Sequence, residues 1–191
     1  GKGTYEGLDI VPEQIAWCQQ NITPRFSNFH FMHADIYNEM YNPSGNLKAC
    51  EYVFPYEKET FDFVFLISVF THMFPLDLEH YLSEISRILK VGGRCLITYF
   101  LLNPESVPLA RTGINGPAFN HEMSGYWTSN LKCPESAVAY SEDYVRNLYD
   151  RFGLVIKDPL IYGSWCCREG ASFYQDVIVG WKHDPNRHSP Y

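Results

Sequence analysis

The sequence predicts an α/β fold in which a doubly wound, mostly parallel sheet is covered by helices. Residues 63–67 form a short, unbroken apolar run, which is typical of a strand buried on both faces of a parallel sheet. From Leu78 to Leu89 the apolar residues recur at helical spacing, and a second apolar run extends from Cys95 to Phe100. Strand, helix and strand in this order form one right-handed βαβ unit.

The helix of this unit has predicted boundaries at both ends. Asp77 is expected to be its N-cap, and Lys90 suits its last turn because a cation there complements the helix dipole. The pair Gly92-Gly93 is expected to end the helix.

A similar unit precedes it. Residues 4–10 and 29–36 form predicted strands that each end on an acidic residue. The helix between them begins at Pro12, which the first turn of a helix tolerates. Residues 37–60 are predicted to be a polar loop region.

The remainder of the chain is organised differently. Residues 103–140 are rich in proline, glycine and aromatic residues, and they are too long for an ordinary connection, so they are predicted to be an insertion or lid. Residues 141–182 are expected to form a helix and two further strands. We therefore expect one domain over residues 1–191, with residues 1–100 as its core.

Composition narrows the function classes. The net charge of −7 argues against a nucleic-acid partner and against attraction to anionic membranes. No continuous apolar span or signal peptide is evident, and six cysteines without a Cys-x-x-Cys pair indicate reduced thiols, so a cytoplasmic protein is expected. No cluster of His, Asp and Glu has metal-ligand spacing, so no metal is expected.

Five segments occur in a characteristic order and spacing. They are a strand ending on Asp9, another ending on residues 34–36, a strand at 61–64, the stretch 68–72 and the Leu-Lys-x-Gly-Gly turn at 89–93. Together they resemble the class I S-adenosylmethionine-dependent methyltransferases, nearest the type 11/12 group that acts on small molecules. The resemblance covers roughly the first hundred residues, and its most specific part is the Leu-Lys-x-Gly-Gly turn. The resemblance implies a Rossmann-like sheet with an antiparallel last strand, and S-adenosylmethionine as cofactor.

The chain departs from this family at its start. The family's first strand and its Gly-x-Gly-x-Gly loop would precede Gly1, so the first βα unit is expected to be absent from the chain. That loop lets backbone amides approach the methionine part of the cofactor. The family's first strand would lie between the strand at Leu8 and the strand at Phe63. We therefore expect either a longer polypeptide or a partner chain, such as a second copy, that fills the gap.

Four residues near the first two strand ends match the family's adenosine site. The resemblance implies that Asp9 accepts the ribose hydroxyls and that Ile10 lies on the adenine. It likewise implies that Asp35 accepts the adenine amino group, with Ile36 packing nearby. Three of these roles have an alternative. Under the alternatives, Asp9 is simply an acid that the helix dipole favours, Asp35 is an aspartate that caps a loop, and Ile10 is an ordinary packing residue.

Three residues after the central strand are further candidates. Ser68 and Val69 follow it directly, at the end of a doubly wound sheet where ligands lie, and their backbone is expected to line the methionine part of the cofactor. His72 is a candidate general base, or it orients the acceptor; the alternative is a histidine with a local hydrogen bond. Aromatic residues of the insertion either wall an acceptor pocket or cover a sheet edge. These are His121, Tyr126, Trp127 and Tyr140.

The predicted activity is transfer of a methyl group to a small-molecule acceptor. Such chemistry needs an in-line acceptor and exclusion of water, and a base where the acceptor must lose a proton. One alternative is a nicotinamide-dependent oxidoreductase, in which Asp9 would also hold a ribose. The other is a non-catalytic module, which the absent glycine-rich loop favours. The Leu-Lys-x-Gly-Gly turn and the antiparallel ending favour the methyltransferase over the oxidoreductase.

Overall fold

The computed structural model describes residues 3–184, which fall into two compact units divided between Tyr52 and Val53. The single domain expected over residues 1–191 stays a prediction. The strands are β1 (Tyr5–Asp9), β2 (Phe29–His33), β3 (Phe61–Leu66), β4 (Leu89–Tyr99), β5 (Leu101–Leu102), β6 (His121–Glu122), β7 (Trp127–Thr128), β8 (Val138–Ser141), β9 (Leu154–Ile156) and β10 (Asp176–Lys182). The helices are α1 (Pro12–Asn21), α2 (Pro75–Ile88), α3 (Ser106–Ala110) and α4 (Glu142–Arg151).

The first unit is a βαβ unit made of β1, α1 and β2. The two strands are parallel, and Asp9 lies opposite His33 at their carboxyl ends. Gly7 of β1 leaves room for the Phe31 ring, since a Cβ at this position would lie 2.6 Å from the ring. Strand β2 ends at His33 rather than at residue 36, because the backbone that follows pairs with the loop, where the Leu47 amide donates to the Asp35 carbonyl.

The second unit is built on the four-stranded sheet β3-β4-β10-β9. Strands β3 and β4 are parallel, and β10 runs antiparallel to both β4 and β9. The α/β class, with parallel strands and an antiparallel last strand, is therefore confirmed. Because β10 is antiparallel, its first residue, Asp176, lies opposite Tyr99 at the carboxyl end of β4.

Both predicted ends of the central helix are wrong by a few residues. Helix α2 begins at Pro75, and Asp77 occupies its third position, where its carboxylate accepts from the Phe74 amide at 3.3 Å. The helix ends at Ile88, because fully buried Leu89 already pairs with β3. Gly92 lies inside β4 instead, with φ of +75°, where the register between β3 and β4 shifts.

Strand β3 is less buried than its apolar run predicts. Phe63 and Phe65 lie on one face, and they are 49% and 46% exposed. The strand lies at one edge of its sheet and pairs only with β4 among the described strands. The expectation of burial on both faces is therefore wrong for this face.

The insertion contains ordered structure. Strands β5, β8, β7 and β6 form a second four-stranded sheet, and α3 follows β5. The rings of Phe100 and Phe119 pack against Trp165, with centroids 5.1 and 5.5 Å away. This small apolar core joins the insertion to Phe100, just after β4, and to Trp165, in the link before β10.

Candidate functional site

Asp9 ends strand β1, as the sequence predicts. Its Oδ1 accepts a hydrogen bond from the Val11 amide at 2.9 Å, which holds the carboxylate at the start of α1. Within residues 3–184, no hydrogen bond engages its Oδ2. Ile10 is half-buried beside it, and its carbonyl accepts from His33 Nε2 at 3.1 Å. The carboxylate thus has one oxygen fixed and one available to donors.

Asp35 follows strand β2 and caps a loop. Its Oδ1 accepts from the Asn46 amide at 3.2 Å, and its Oδ2 accepts from Asn46 Nδ2 at 2.7 Å. Ile36 beside it is only 2% exposed. Because β1 and β2 are parallel neighbours, Asp9 and Asp35 lie at the same edge of their sheet. The loop-capping bonds are therefore present, and a role toward adenine stays a proposal.

Ser68 and Val69 follow strand β3 at its carboxyl end. Ser68 has φ of +55°, in the left-handed region that residues with a side chain rarely adopt. Its amide donates to Thr98 Oγ1 at 2.8 Å, and its hydroxyl donates to Gln175 Oε1 at 3.0 Å. Val69 is half-buried at the start of a short 3₁₀ turn, Phe70–His72. The ends of β3, β4 and β10 therefore meet at Ser68.

His72 closes this turn. Its Nδ1 lies 2.8 Å from the carbonyl oxygen of Glu135, which belongs to the insertion. Because a carbonyl can only accept, Nδ1 carries the proton in the neutral ring and Nε2 is the basic nitrogen. The hydrogen bond expected under the alternative interpretation is therefore present. This bond is compatible with His72 acting as a base through Nε2.

The four aromatic candidates of the insertion separate into different environments. Tyr140 is fully buried, and its hydroxyl donates to the Met73 carbonyl at 2.6 Å, so it is structural. Trp127 packs against the small apolar core. Tyr126 lies against Phe74, two residues after His72, with ring centroids 5.4 Å apart. His121 is half-buried in β6.

The second unit also has an open cavity of about 460 Å³ at the start of α3 and α4. None of the residues predicted to bind the cofactor or to act in catalysis lines this cavity. Glu142 in its wall binds Arg146, Asn103 and Tyr162. Burial opposes ionisation of this carboxyl, but these three hydrogen bonds outweigh it and lower the pKa of Glu142. The other lining residues are Leu102, Asn103, Pro104, Glu105 and Asp143.

No role of Asp176 is predicted from the sequence, and the structure places this residue at the centre of a hydrogen-bond network. Asp176 is fully buried, and its carboxylate accepts from two backbone amides, from Trp165 and from Arg168. No local signal indicates its burial, because Asp62 likewise precedes an apolar run, 63–67, and is exposed.

Residues 3–184 show no helix long and apolar enough to cross a membrane. In the same part of the chain, no group of three or more His, Cys, Asp or Glu side chains is placed to hold a metal ion.

Three solved structures illustrate what the chain is similar to. The first is a SAM-dependent methyltransferase from Methanosarcina mazei, at 15% identity and a TM-score of 0.59, covering 93% of this chain and 81% of that one. A geranyl diphosphate C-methyltransferase from Streptomyces coelicolor A3(2), with Mg²⁺, geranyl diphosphate and S-adenosyl-L-homocysteine, has 13% identity and a TM-score of 0.55, covering 94% and 63%. The 1,6-didemethyltoxoflavin-N1-methyltransferase of Burkholderia thailandensis, with 1,6-didemethyltoxoflavin and S-adenosylhomocysteine, has 15% identity and a TM-score of 0.53, covering 94% and 61%.

The match to a family model is stronger evidence for the family than these structural similarities. Residues 1–97, half of the chain, match the family described as "Methyltransferase domain". The match coincides with the stretch in which the sequence resembles the S-adenosylmethionine-dependent methyltransferases, and the structural similarities agree with that fold. The recognition from sequence and the expected cofactor, S-adenosylmethionine, are thereby confirmed at the level of the family, while the absent glycine-rich loop stays a prediction. The chain therefore belongs to the methyltransferase domain family.

Proposed function

We propose that this chain transfers a methyl group from S-adenosylmethionine to a small-molecule acceptor, with His72 as the base. The observation that carries the proposal is the 2.8 Å hydrogen bond from His72 Nδ1 to the Glu135 carbonyl. It makes Nε2 the proton-accepting nitrogen, in a turn that follows the carboxyl end of β3. In an open α/β sheet, ligands bind outside this end of the strands.

The residues of the first unit fit the adenosine part of the cofactor. Asp9 has Oδ2 available while Oδ1 stays bound to the Val11 amide, so the carboxylate can accept ribose hydroxyls without losing its orientation. Ile10 offers an apolar side chain to the adenine, and Ile36 supports it. Asp35 can accept the adenine amino group in addition to the Asn46 bonds, because each carboxylate oxygen has two lone pairs.

The backbone of Ser68 and Val69 would line the methionine part of the cofactor. When bound, S-adenosylmethionine supplies a methyl group already activated by a positively charged sulfur. The chain therefore has to orient the acceptor, exclude water and take a proton at His72 Nε2 where the acceptor carries one.

The acceptor class rests on charge and on two similar structures. The net charge of −7 makes a polyanionic nucleic acid an unfavourable partner. The two similar structures with named organic molecules contain 1,6-didemethyltoxoflavin and geranyl diphosphate. Tyr126 and Phe74 could provide an apolar wall for a molecule of this size. The six cysteines, none of them in a disulfide, favour a cytoplasmic setting.

Calorimetric titration with S-adenosylhomocysteine tests the cofactor, with NAD as the control ligand. We expect heat with the first ligand only, and an affinity about 10- to 100-fold weaker in Asp9→Ala, because a charge-assisted hydrogen bond is lost. Asp62→Ala is the matched control, since this exposed carboxylate pairs with Lys90 at the surface. Binding of NAD alone would support the oxidoreductase, and heat with neither ligand would support a non-catalytic module.

A screen of small-molecule acceptors with radiolabelled S-adenosylmethionine then tests the transfer. Label in an organic product supports the proposal. Label that appears only in added RNA or protein would contradict the proposed acceptor class.

A further inference from the structure

The backbone at Ser68 is held in an unfavourable conformation by a side chain of β4 and by the side chain just before β10. A serine with φ of +55° is sterically disfavoured, so surrounding contacts must maintain it. Thr98 of β4 accepts the Ser68 amide at 2.8 Å, and Gln175, just before β10, accepts its hydroxyl at 3.0 Å. Both contacts act on one residue at the point where β3 gives way to the 3₁₀ turn.

The two contacting residues are themselves firmly placed. Thr98 is 6% exposed within β4 and lies opposite Val177 of β10. Gln175 directly precedes Asp176, whose buried carboxylate is fixed by four donors. Gln175 is therefore anchored through the neighbouring residue in the chain.

The conformation of Ser68 sets the direction of the turn that follows. The His72 amide donates to the Val69 carbonyl at 3.0 Å, so His72 is only one tight turn away from Ser68. A rotation at Ser68 would move the whole turn relative to strand β3, and with it the imidazole. Displacements of about 1 Å at a reacting group can cost on the order of 100-fold in rate.

We propose that Gln175 is a positioning residue, which holds Ser68 in its left-handed conformation and thereby directs the Val69–His72 turn. Gln175 touches neither the reacting atoms nor the base; it acts through the Ser68 hydroxyl. The inference rests on the proposed function for its effect on rate, but the structural link from Gln175 to Ser68 does not. It assigns a role to a residue outside the region matched by the family model.

Three variants test the link in the full chain. Gln175→Met keeps the length of the side chain but cannot accept the hydroxyl, Gln175→Glu keeps an acceptor oxygen, and Ser68→Ala removes the donor. Gln20→Met, at an exposed position in α1, is the matched control. The first readout is hydrogen–deuterium exchange at the Ser68 amide, which needs no cofactor.

We expect this amide to exchange about tenfold faster in Gln175→Met and in Ser68→Ala, and at the wild-type rate in Gln175→Glu and in the control. An unchanged rate in Gln175→Met would overturn the proposal. So would a rate in Gln175→Glu as fast as in Gln175→Met, because an acceptor oxygen would then not be what holds Ser68.

The second readout is methyl transfer to an acceptor found in the screen. We expect kcat to fall about tenfold in Gln175→Met and in Ser68→Ala, and to return to within about twofold of wild type in Gln175→Glu. The kcat of the double variant should fall no further, because both substitutions break the same hydrogen bond. Fully multiplicative losses would overturn the proposal. If the screen finds no acceptor while the exchange results hold, the proposed function fails and the Gln175–Ser68 link stands.

Discussion

The Arg168 guanidinium lies 2.9 Å from the Asp176 carboxylate, and both side chains are buried. The same carboxylate accepts from the Trp165 indole and from the Leu101 amide, each at 2.7 Å, and from the Gly163 amide at 2.8 Å. One acid thus joins the first residue of β10, the start of β5 and the link before β10. A buried carboxylate is stable in the interior when its oxygens accept hydrogen bonds in this way.

Asp176→Asn should destabilise the chain strongly. The substitution removes the negative charge that balances Arg168. It also places a side-chain NH₂ group, which can only donate, opposite hydrogen-bond donors that need an acceptor. We expect a loss of about 3 kcal/mol in the free energy of unfolding, measured by urea denaturation. Asp150→Asn, at an exposed position in α4, is the matched control and should change the free energy by less than about 0.5 kcal/mol.

A loss in Asp176→Asn as small as that of the control would contradict this account. It would mean that the buried charge of Asp176 is not what holds Arg168 and the link in place.

Elements specified by local signals were predictable from the sequence. Ser141 was expected to start a helix, and its hydroxyl accepts from the Tyr144 amide at 3.2 Å as an N-cap. Pro12 begins α1 as expected. Asp9 ends β1 as expected, because a strand that ends on an acid is visible in a few consecutive residues, whereas Asp35 lies two residues beyond the end of β2.

Features that depend on distant pairing were not predictable. The Gln175 contact to Ser68 joins residues 107 positions apart, and the Asp176 contact to Leu101 joins residues 75 apart. The prediction that Gly92 ends a helix is wrong for a related reason: a glycine permits positive φ both after a helix and at a strand irregularity. Only the pairing of β3 with β4 shows that Gly92 lies at a strand irregularity and not after a helix.

Replacing His72 should reduce catalysis more than stability. His72→Ala removes the base, and His72→Asn keeps a side-chain donor for the Glu135 carbonyl without supplying a base. Both should lower kcat by about 10² to 10⁴ in a methyl-transfer assay with a protic acceptor. His183→Ala, at an exposed position after β10, is the matched control.

Activity retained in His72→Asn but lost in His72→Ala would contradict the role of His72 as base. The hydrogen bond to Glu135 would then be its only contribution.

Acid should destabilise the chain through Glu142. The pKa of this carboxyl is below its ordinary value of 4.5, because hydrogen bonds from Asn103, Arg146 and Tyr162 outweigh burial. A depressed folded-state pKa stabilises the fold above the unfolded-state pKa, and this stabilisation is lost as the pH falls through the folded-state value. The melting temperature of Glu142→Gln should therefore lie below that of wild type at pH 7.

The difference between the two melting temperatures should narrow as the pH is lowered from 5 toward 3. A difference that is constant over this range would show that ionisation of Glu142 contributes nothing to stability. Glu122→Gln, at an exposed position in β6, is the matched control.

Cys95 should resist alkylation in the folded chain. It is fully buried in β4, and this burial raises the pKa of its thiol to about 11. At pH 8 about one molecule in a thousand carries the reactive thiolate, and the reagent has no access to it. Cys167 is exposed, so it has no comparable protection. Iodoacetamide should therefore modify Cys167 and spare Cys95, as read by mass spectrometry of digested peptides.

Unfolding in urea before the reagent is added should make both thiols reactive, which separates protection by the fold from any chemical block. Cys167→Ser is the matched control, because the folded chain should then lose the peptide label at residue 167 while Cys95 stays unmodified. Comparable labelling of both cysteines in the folded chain would mean that β4 opens on the timescale of the reaction. That result would contradict the close packing of Cys95 against Gly180, where an added Cβ would lie 3.3 Å from the sulfur.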